Sequence, residues 1–569
     1  MVTPHSLYFE ESYNQSIVFR TFTWAAAALA AAILAYRVAG AGESVALVRF
    51  EDLVQKSGID FVLHNCPTPQ KHMIETMAGG LAAFDYDGDG RPDIFFTNGA
   101  ALPSLEKTGP QYWNRLYHNE GNMKFRDVTQ EAGVAGEGYS MGAAAGDYDN
   151  DGHADLFVAG VNRNILYHNL GNGRFEDVTT KAGIRGGGWA VAAGWFDYDN
   201  DGFLDLWIVH YTDWHPGSSA DDRFCGDSQR GIRIYCHPKY FEGLASTLYH
   251  NRGNGTFEDV SERAGIAAFR GRGMSVAFAD YDHDGYPDVF VTNDNMPNFL
   301  FHNRGNGTFE EVALLAGVAL RGDGKPVASM GTDFRDYDND GWPDISVVAL
   351  AGETFPLFRN SGKGSFDDAT YASRLGGLSL RHSGWGTGFF DFNNDGWKDL
   401  FTTNSHVNDR VELFEPAVYK EPDTVYVNLG NGTFADASAD ANLTEAKAHR
   451  GSAFADFDGD GKIDIVVSSL EGAVELWHNV SPAPNHWIEL KLTGTHANRD
   501  GIGARIRIGD QHNDMTSAVS YASSSLVPVH FGLGRLGTVD RIEIIWPGGK
   551  HQTLENVKAD QVLSVREPQ

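Results

Sequence analysis

The stretch Asp147–Gly160 reads DYDNDGHADLFVAG. Its first nine residues place carboxylates at positions 1, 3, 5 and 9 and a glycine at position 6, and a β-rich apolar run follows. The same pattern recurs as DYDGDGRPD from Asp85, DYDNDGFLD from Asp197, DYDHDGYPD from Asp280, DYDNDGWPD from Asp336, DFNNDGWKD from Asp391 and DFDGDGKID from Asp456. The seven copies are 62, 50, 83, 56, 55 and 65 residues apart, so the unit is a repeat with insertions. Each copy follows a run of small apolar residues, such as SMGAAAG before Asp147, and precedes an aromatic strand such as LYHN at Leu116, Leu166 and Leu248. A Gly-Asn-Gly turn and a closing F-x-D-V-T strand commonly complete the unit. Four short strands, seven times over, predict an all-β chain built as a seven-bladed β-propeller.

A solenoid of the same units is the competing reading, and the chain ends decide between the two. The last unit stops after LWHN at Leu476, one strand short, while FEDLVQKSGI from Phe50 matches FEDVTTKAGI from Phe175. An N-terminal strand completing the final blade closes a ring and removes two open sheet edges. A solenoid has no reason to split a unit in this way.

The acidic loops point to a hard cation. Ca²⁺ takes six to eight oxygens at about 2.3–2.6 Å, and alternate residues of a tight loop can aim carboxylates inward while the position-7 carbonyl adds a main-chain ligand. The expected ligands are Asp85, Asp87, Asp89, Arg91 and Asp93 in loop 1, and Asp147, Asp149, Asp151, His153 and Asp155 in loop 2. Loop 3 offers Asp197, Asp199, Asp201, Phe203 and Asp205, and loop 4 offers Asp280, Asp282, Asp284, Tyr286 and Asp288. Loop 5 has Asp336, Asp338, Asp340, Trp342 and Asp344; loop 6 has Asp391, Asn393, Asp395, Trp397 and Asp399; loop 7 has Asp456, Asp458, Asp460, Lys462 and Asp464. Up to seven Ca²⁺ ions are therefore expected. Four carboxylates within nine residues repel one another strongly without a counter-charge.

These motifs resemble the FG-GAP/VCBS repeats of integrin-α propellers and of many secreted bacterial proteins. The resemblance implies a propeller over residues 44–483, with Ca²⁺ in the loop joining the first two strands of each blade. After Asn479 the acidic loops stop and SPAPN (481–485) reads as a linker. NRDGIGARIRI (498–508), HFGLG (530–534) and DRIEIIWPGGKHQTLENV (540–557) follow, so residues 484–569 are expected to form a small β-sandwich-like domain. This constellation resembles the ASPIC/UnbV domain of the cartilage acidic protein family, whose members occur in animal extracellular matrix and in bacteria. The family resemblance implies no common activity. Between the halves of that domain stands SYASSSLVP (520–528).

Composition narrows the function further. Asp and Glu number 76 against 45 Lys and Arg, a net charge of −31, and such a surface repels nucleic acid. The 13-residue apolar run Trp24–Tyr36, with Ala39-Gly40-Ala41 after it, reads as a signal peptide or an N-terminal membrane anchor within residues 1–43. The expected location is secreted, periplasmic or cell-surface, with the membrane involved only through that anchor. Of three cysteines, Cys225 and Cys236 share one long insertion and are expected to pair, leaving Cys66 free.

No H-E-x-x-H zinc motif occurs, and the abundant carboxylate pairs belong to the repeat, so no catalytic residue is singled out. The recurrent His118, His168, His250, His302 and His478 are expected to be structural strand residues. The irregular features are the insertions at 213–245 and 405–422, with His382, His406 and His449 in loops of the same face. Function gathers on loops carried by a rigid scaffold. The leading expectation is a monomeric calcium-binding adhesion module that takes a protein or glycan ligand on this insertion face. The alternatives are a carbohydrate-active or natural-product tailoring enzyme with its site at the channel mouth, or a passive structural protein of envelope or matrix.

Overall fold

Small and apolar side chains on both faces let the inner strands of each blade be buried on both sides. In blade 2 the strands Ser140–Gly146 and Asp155–Gly160 contain no exposed residue, as suits sheets packed face to face. The computed structural model describes residues 47–482 and 484–569; the expected signal peptide or anchor lies outside the described residues. Among the described residues no helix is long and apolar enough to cross a membrane.

Seven four-stranded antiparallel blades follow one another, with inner strands at Leu81–Phe84, Ser140–Gly146, Ala190–Phe196, Gly273–Ala279, Thr332–Arg335, Gly384–Phe390 and His449–Ala455. Each acidic loop joins the first strand of its blade to the second. The N-terminal strand Phe50–Asp52 pairs antiparallel with Trp477–Asn479 and completes blade 7.

The asparagine of each aromatic strand bolts its blade to the preceding one. Asn169 donates from Nδ2 to the Tyr86 carbonyl at 2.7 Å, Asn251 to Tyr148 at 2.7 Å and Asn303 to Tyr198 at 2.7 Å. Asn360, Asn428 and Asn479 repeat the bond to Tyr281, Tyr337 and Phe392 at 2.8–2.9 Å. Asn119 then reaches Phe457 at 2.8 Å, from blade 1 back to blade 7. The ring is closed.

The C-terminal module is a sandwich of two sheets. One is ordered Val529–Gly534, His486–Thr493, Gln561–Arg566 and the other Gln511–Asp514, Arg505–Ile508, Thr538–Ile545, His551–Lys558. A boundary near residue 483 separates propeller and module along the chain but not in space. The module's Ile488, Leu490, Ile506 and Trp546 share one apolar cluster with Ala144, Tyr148 and Trp195 of blades 2 and 3.

From the module a hairpin, Ala518–Val519 and Ser523–Leu526, enters the propeller channel. Ser523–Leu526 adds a parallel strand to blade 1 beside Ala82–Phe84. Ala143 of blade 2 donates to the Ala522 carbonyl at 3.1 Å, and Ser520 bridges to Thr332 of blade 5. Ser520 Oγ accepts from the Thr387 and Ser452 amides of blades 6 and 7, both at 3.2 Å. Ala518–Val519 packs on the inner strands of blades 3 and 4. All seven inner strands touch this plug, which comprises Ala518–Val519 and most of the SYASSSLVP segment. A serine- and alanine-rich hairpin suits the site because small side chains fit the narrow axis and hydroxyls satisfy inner-strand amides.

Candidate metal centres

The loop geometry follows from its letters. Position 6 is always glycine, with φ between +81° and +97°, a backbone region that glycine enters without cost. Position 4 is also left-handed and is held by Gly, Asn or His; in loop 3 it is Asn200 at φ +57°. These two reversals curl the chain around the carboxylates. In loop 3, Asp197 accepts from the Asp201 and Gly202 amides at 3.1 Å, and Asp201 accepts from Phe203 at 2.9 Å. Asp205 receives Tyr198 at 3.3 Å on one oxygen and Asn251 at 2.8 Å on the other.

The carboxylates are crowded together inside each loop. Burial first, and the neighbouring acids after it, push Asp147 and Asp197 up to about 8 and Asp456 up to about 7. Burial does the same to Asp205 and Asp288, up to about 7. The Oδ1 atoms of position 3 in loops 2, 3 and 5, on Asp149, Asp199 and Asp338, are buried with no hydrogen-bond partner. Orphaned carboxylate oxygens among carboxylates are what a calcium ion would satisfy, so the residues present fit the group.

The recurrent histidines do more than fill a strand. Nδ1 of His168, His250 and His302 lies 3.2 Å from the position-9 carboxylate of its blade and 3.4–3.6 Å from that of position 3. His118 and His478 repeat the contact to Asp93 and Asp464 at 3.3 and 3.0 Å. Bonding to Asp155 raises His168 to about 9. These histidines orient the loop carboxylates from the outer side. Each stands at the same place in the aromatic strand that follows its acidic motif, as in LYHN or LWHN, and that recurrence was the signal available in sequence. Blades 5 and 6 differ: the equivalent residues are Arg359 and Val427. Arg359 pairs with Asp338 and, at 2.6 Å, with Asp340.

The module covers the whole ring of loops. Lys491 reaches Asp85 at 3.3 Å, Asp500 accepts from the Asp147 amide at 2.8 Å, and Arg505 approaches Asp280 at 3.4 Å. A Cβ on Gly202 of loop 3 would meet the His496 carbonyl at 2.5 Å. Lys398 joins the Asp336 carbonyl of loop 5 to that of His512, at 2.8 and 2.7 Å. Asn485 donates to the Asn393 carbonyl at 2.9 Å, and His530 Nε2 lies 3.2 Å from the Gly461 carbonyl.

The opposite face is built from three segments absent from a minimal blade. Lys71 pairs with Asp409 of the blade-6 insertion at 2.6 Å, and His72 with Asp221 of the blade-3 insertion at 2.7 Å. Tyr235 donates to Glu75 at 3.1 Å. Within the blade-3 insertion Cys225 and Cys236 are disulfide-bonded, and Cys66 is free. Beneath these segments lies a cavity of about 580 Å³. Met77, Tyr211, Met274, Met330 and Trp385 give it an apolar wall, with Asp294, Glu353, His237 and His406 among its polar groups. Asp294 is fixed by Tyr211 Oη at 2.6 Å and Asn295 at 2.8 Å, and burial raises it above the usual carboxylate range. Burial lowers both His237 and His406. The plug backs two of the lining residues: Tyr521 donates to the Met77 carbonyl at 2.7 Å and meets Trp385 edge-on.

His449 departs from the sequence expectation. It opens the inner strand of blade 7, is 0% exposed, and lies between Asp423 at 2.9 Å and Glu475 at 2.8 Å. His382 does reach the insertion face, 3.2 Å from Glu421. Two letter-level motifs lie in the wrong context for catalysis or phosphate binding. Ser140 of Gly138–Gly142 (GYSMG) begins a buried strand rather than a nucleophile elbow, and Gly532–Gly537 (GLGRLG) leads into a strand, not a helix.

A closed ring of seven blades, each opening on a D-x-D-x-D-G-x-x-D loop or its Asn393 variant, defines an acidic-loop β-propeller. The chain belongs to the FG-GAP-like repeat family, whose model matches residues 85–158, 147–208, 244–291, 280–347, 336–402 and 417–467. The ASPIC and UnbV model matches residues 494–569. The chain is 28% identical to cartilage acidic protein 1 of Mus musculus over 335 residues, which is 56% of this chain and 49% of that protein. The Homo sapiens protein is 28% identical over 332 residues, 56% and 47% of the two chains. The chain thus spans about half the length of the curated relatives it matches. Among solved structures, YCF48 bound to D1 peptide has a TM-score of 0.39 at 7% identity, covering 77% of this chain and 99% of that one. BBS1N in complex with ARL6DN scores 0.40 at 9% identity, covering 78% and 99%.

Proposed function

We propose that this protein is an exported recognition module whose loops hold Ca²⁺ and whose insertion face binds a protein or glycan segment. The observation that carries this reading is the division of labour between the two faces. The module covers the acidic loops and its hairpin fills the channel, while the opposite face keeps a cavity of about 580 Å³ walled by aromatic and methionine side chains. Concave, mostly apolar sites with a few fixed polar groups are where ligands bind. The Cys225–Cys236 bond supports an oxidising compartment, where such bonds persist.

Bound Ca²⁺ would supply positive charge that neutralises the loop carboxylates. The chain's own residues do the rest: Asp carboxylates accepting from main-chain amides hold the loop curl, histidines orient the carboxylates, and asparagines fix neighbouring blades. Protein and glycan arrays probed with the purified chain, with and without EGTA, test the reading. Binding is expected to fall at least tenfold in Tyr211→Ala and Asp294→Asn, with calcium content unchanged. Cavity variants that bind their array ligands like the wild type would contradict the assignment of the insertion face.

A further inference from the structure

The module's strand His486–Thr493 turns Ile488, Leu490 and Leu492 into its own core and Trp487, Glu489 and Lys491 toward the propeller. Trp487 covers loop 7 so closely that a Cβ on Gly461 would lie 1.9 Å from its Cε2. Lys491 reaches loop 1 through Asp85 at 3.3 Å. Glu489 sits between them and is only 4% exposed. Its cross-strand partner is His530, whose Nε2 is 3.2 Å from the Gly461 carbonyl, so the Glu489 carboxylate faces loop 7.

Among the described residues that carboxylate has no compensating partner. No hydrogen-bond donor among the described residues acts on it, and the charges it feels there are those of Asp456 and Asp464; burial, with their repulsion added, holds it well above the usual carboxylate range. His530, held low by burial at about 4, brings no positive charge. An unpaired buried carboxylate is strongly unfavourable, and one facing two more acids is worse. A divalent cation in loop 7 reverses the sign of all three interactions. We propose that Glu489 completes the cation site of loop 7 from across the domain boundary, so that one ion held jointly with Asp456 and Asp464 fastens the module to the propeller. This rests on the calcium reading of the loops and extends it to a ligand outside the repeat.

The test is Glu489→Gln in the full chain, which keeps size and removes charge. Thermal melts in EDTA and in Ca²⁺ are read beside the number of ions retained after gel filtration. In EDTA the variant is expected to melt at or above the wild type, because an unpaired charge is gone. In Ca²⁺ it is expected to melt below the wild type and to retain one ion fewer, or to bind that ion at least tenfold more weakly. Equal ion number and affinity would overturn the inference, as would the same destabilisation in EDTA and Ca²⁺, which marks a purely structural role. Should Glu489→Gln fail to fold, Glu489→Asp keeps the charge on a shorter stem and is expected to bind the loop-7 ion at least tenfold more weakly; wild-type affinity would overturn the inference. A wild-type chain indifferent to Ca²⁺ removes the calcium reading itself. A responsive wild type with an equally responsive variant removes only the role of Glu489.

Discussion

Arg359 is a permanent cation placed where five other blades carry histidine, and its contacts to Asp338 and Asp340 oppose a metal ion in loop 5. Loop 6 has three aspartates instead of four because of Asn393. Loops 5 and 6 are therefore expected to release Ca²⁺ first. Replacing Arg359 with Gln should tighten the weakest calorimetric binding step by about tenfold, roughly 1.4 kcal/mol; an unchanged or weaker step would contradict this. His449 makes a second prediction. Burial lowers its pKa, but the charges of Asp423 and Glu475 outweigh burial and raise it to about 10. A raised folded-state value contributes stability in full below the unfolded value of about 6.5, and loses it as pH climbs through about 10. His449→Leu leaves Glu475 with Lys447 and Asp423 with the Trp477 indole N–H but without its cation, and breaking such a pair costs about 3–5 kcal/mol. Urea melts should show that loss at pH 7 and a shallower decline than the wild type between pH 7 and 10. The clustering of the loop aspartates was legible in sequence because it depends on spacing alone. His449 was not, because its two partners come from other strands of blades 6 and 7.

At the scale of elements, the closing strand and the plug carry different information. The match between FEDLVQKSGI and FEDVTTKAGI made the N-terminal strand readable, since a strand copies the side-chain pattern of its equivalents. A chain beginning at Ile59 loses the Phe50–Asp52 pairing and the burial of Phe50 against Phe392. It is expected to melt well below a chain beginning at Leu47, and equal melting would refute the closure. The plug left no such trace. Its serines and alanines carry neither apolar periodicity nor turn chemistry, and their role follows from the width of the channel they enter. Tyr521 is its anchor, fully buried against Trp385 and the Met77 carbonyl. Removing a buried aromatic side chain costs about 3–5 kcal/mol, so Tyr521→Ala should destabilise the chain by that order in urea unfolding. Tyr521 supports Met77 and Trp385 of the cavity wall, so the same variant should weaken array ligands while calcium content holds.

For the molecule as a whole, propeller and module share an apolar cluster, a hairpin and seven loop contacts, so they are expected to unfold together rather than as separate domains. The repeat made the propeller readable from local patterns, and the module's strands were readable from their apolar runs. Their mutual seating was not, because it depends on pairs more than 300 residues apart in sequence, such as Asp147 with Asp500 and Asp85 with Lys491. With cations in the loops, the seating would give them a larger task than stiffening single hairpins. Ions that bind only the folded state stabilise it by mass action, about 2.7 kcal/mol per site at a hundredfold excess over the dissociation constant. Differential scanning calorimetry of the full chain in Ca²⁺ and in EGTA addresses this directly. One cooperative transition, moved to clearly higher temperature by Ca²⁺, is the expected result; superimposable curves in the two buffers would contradict it.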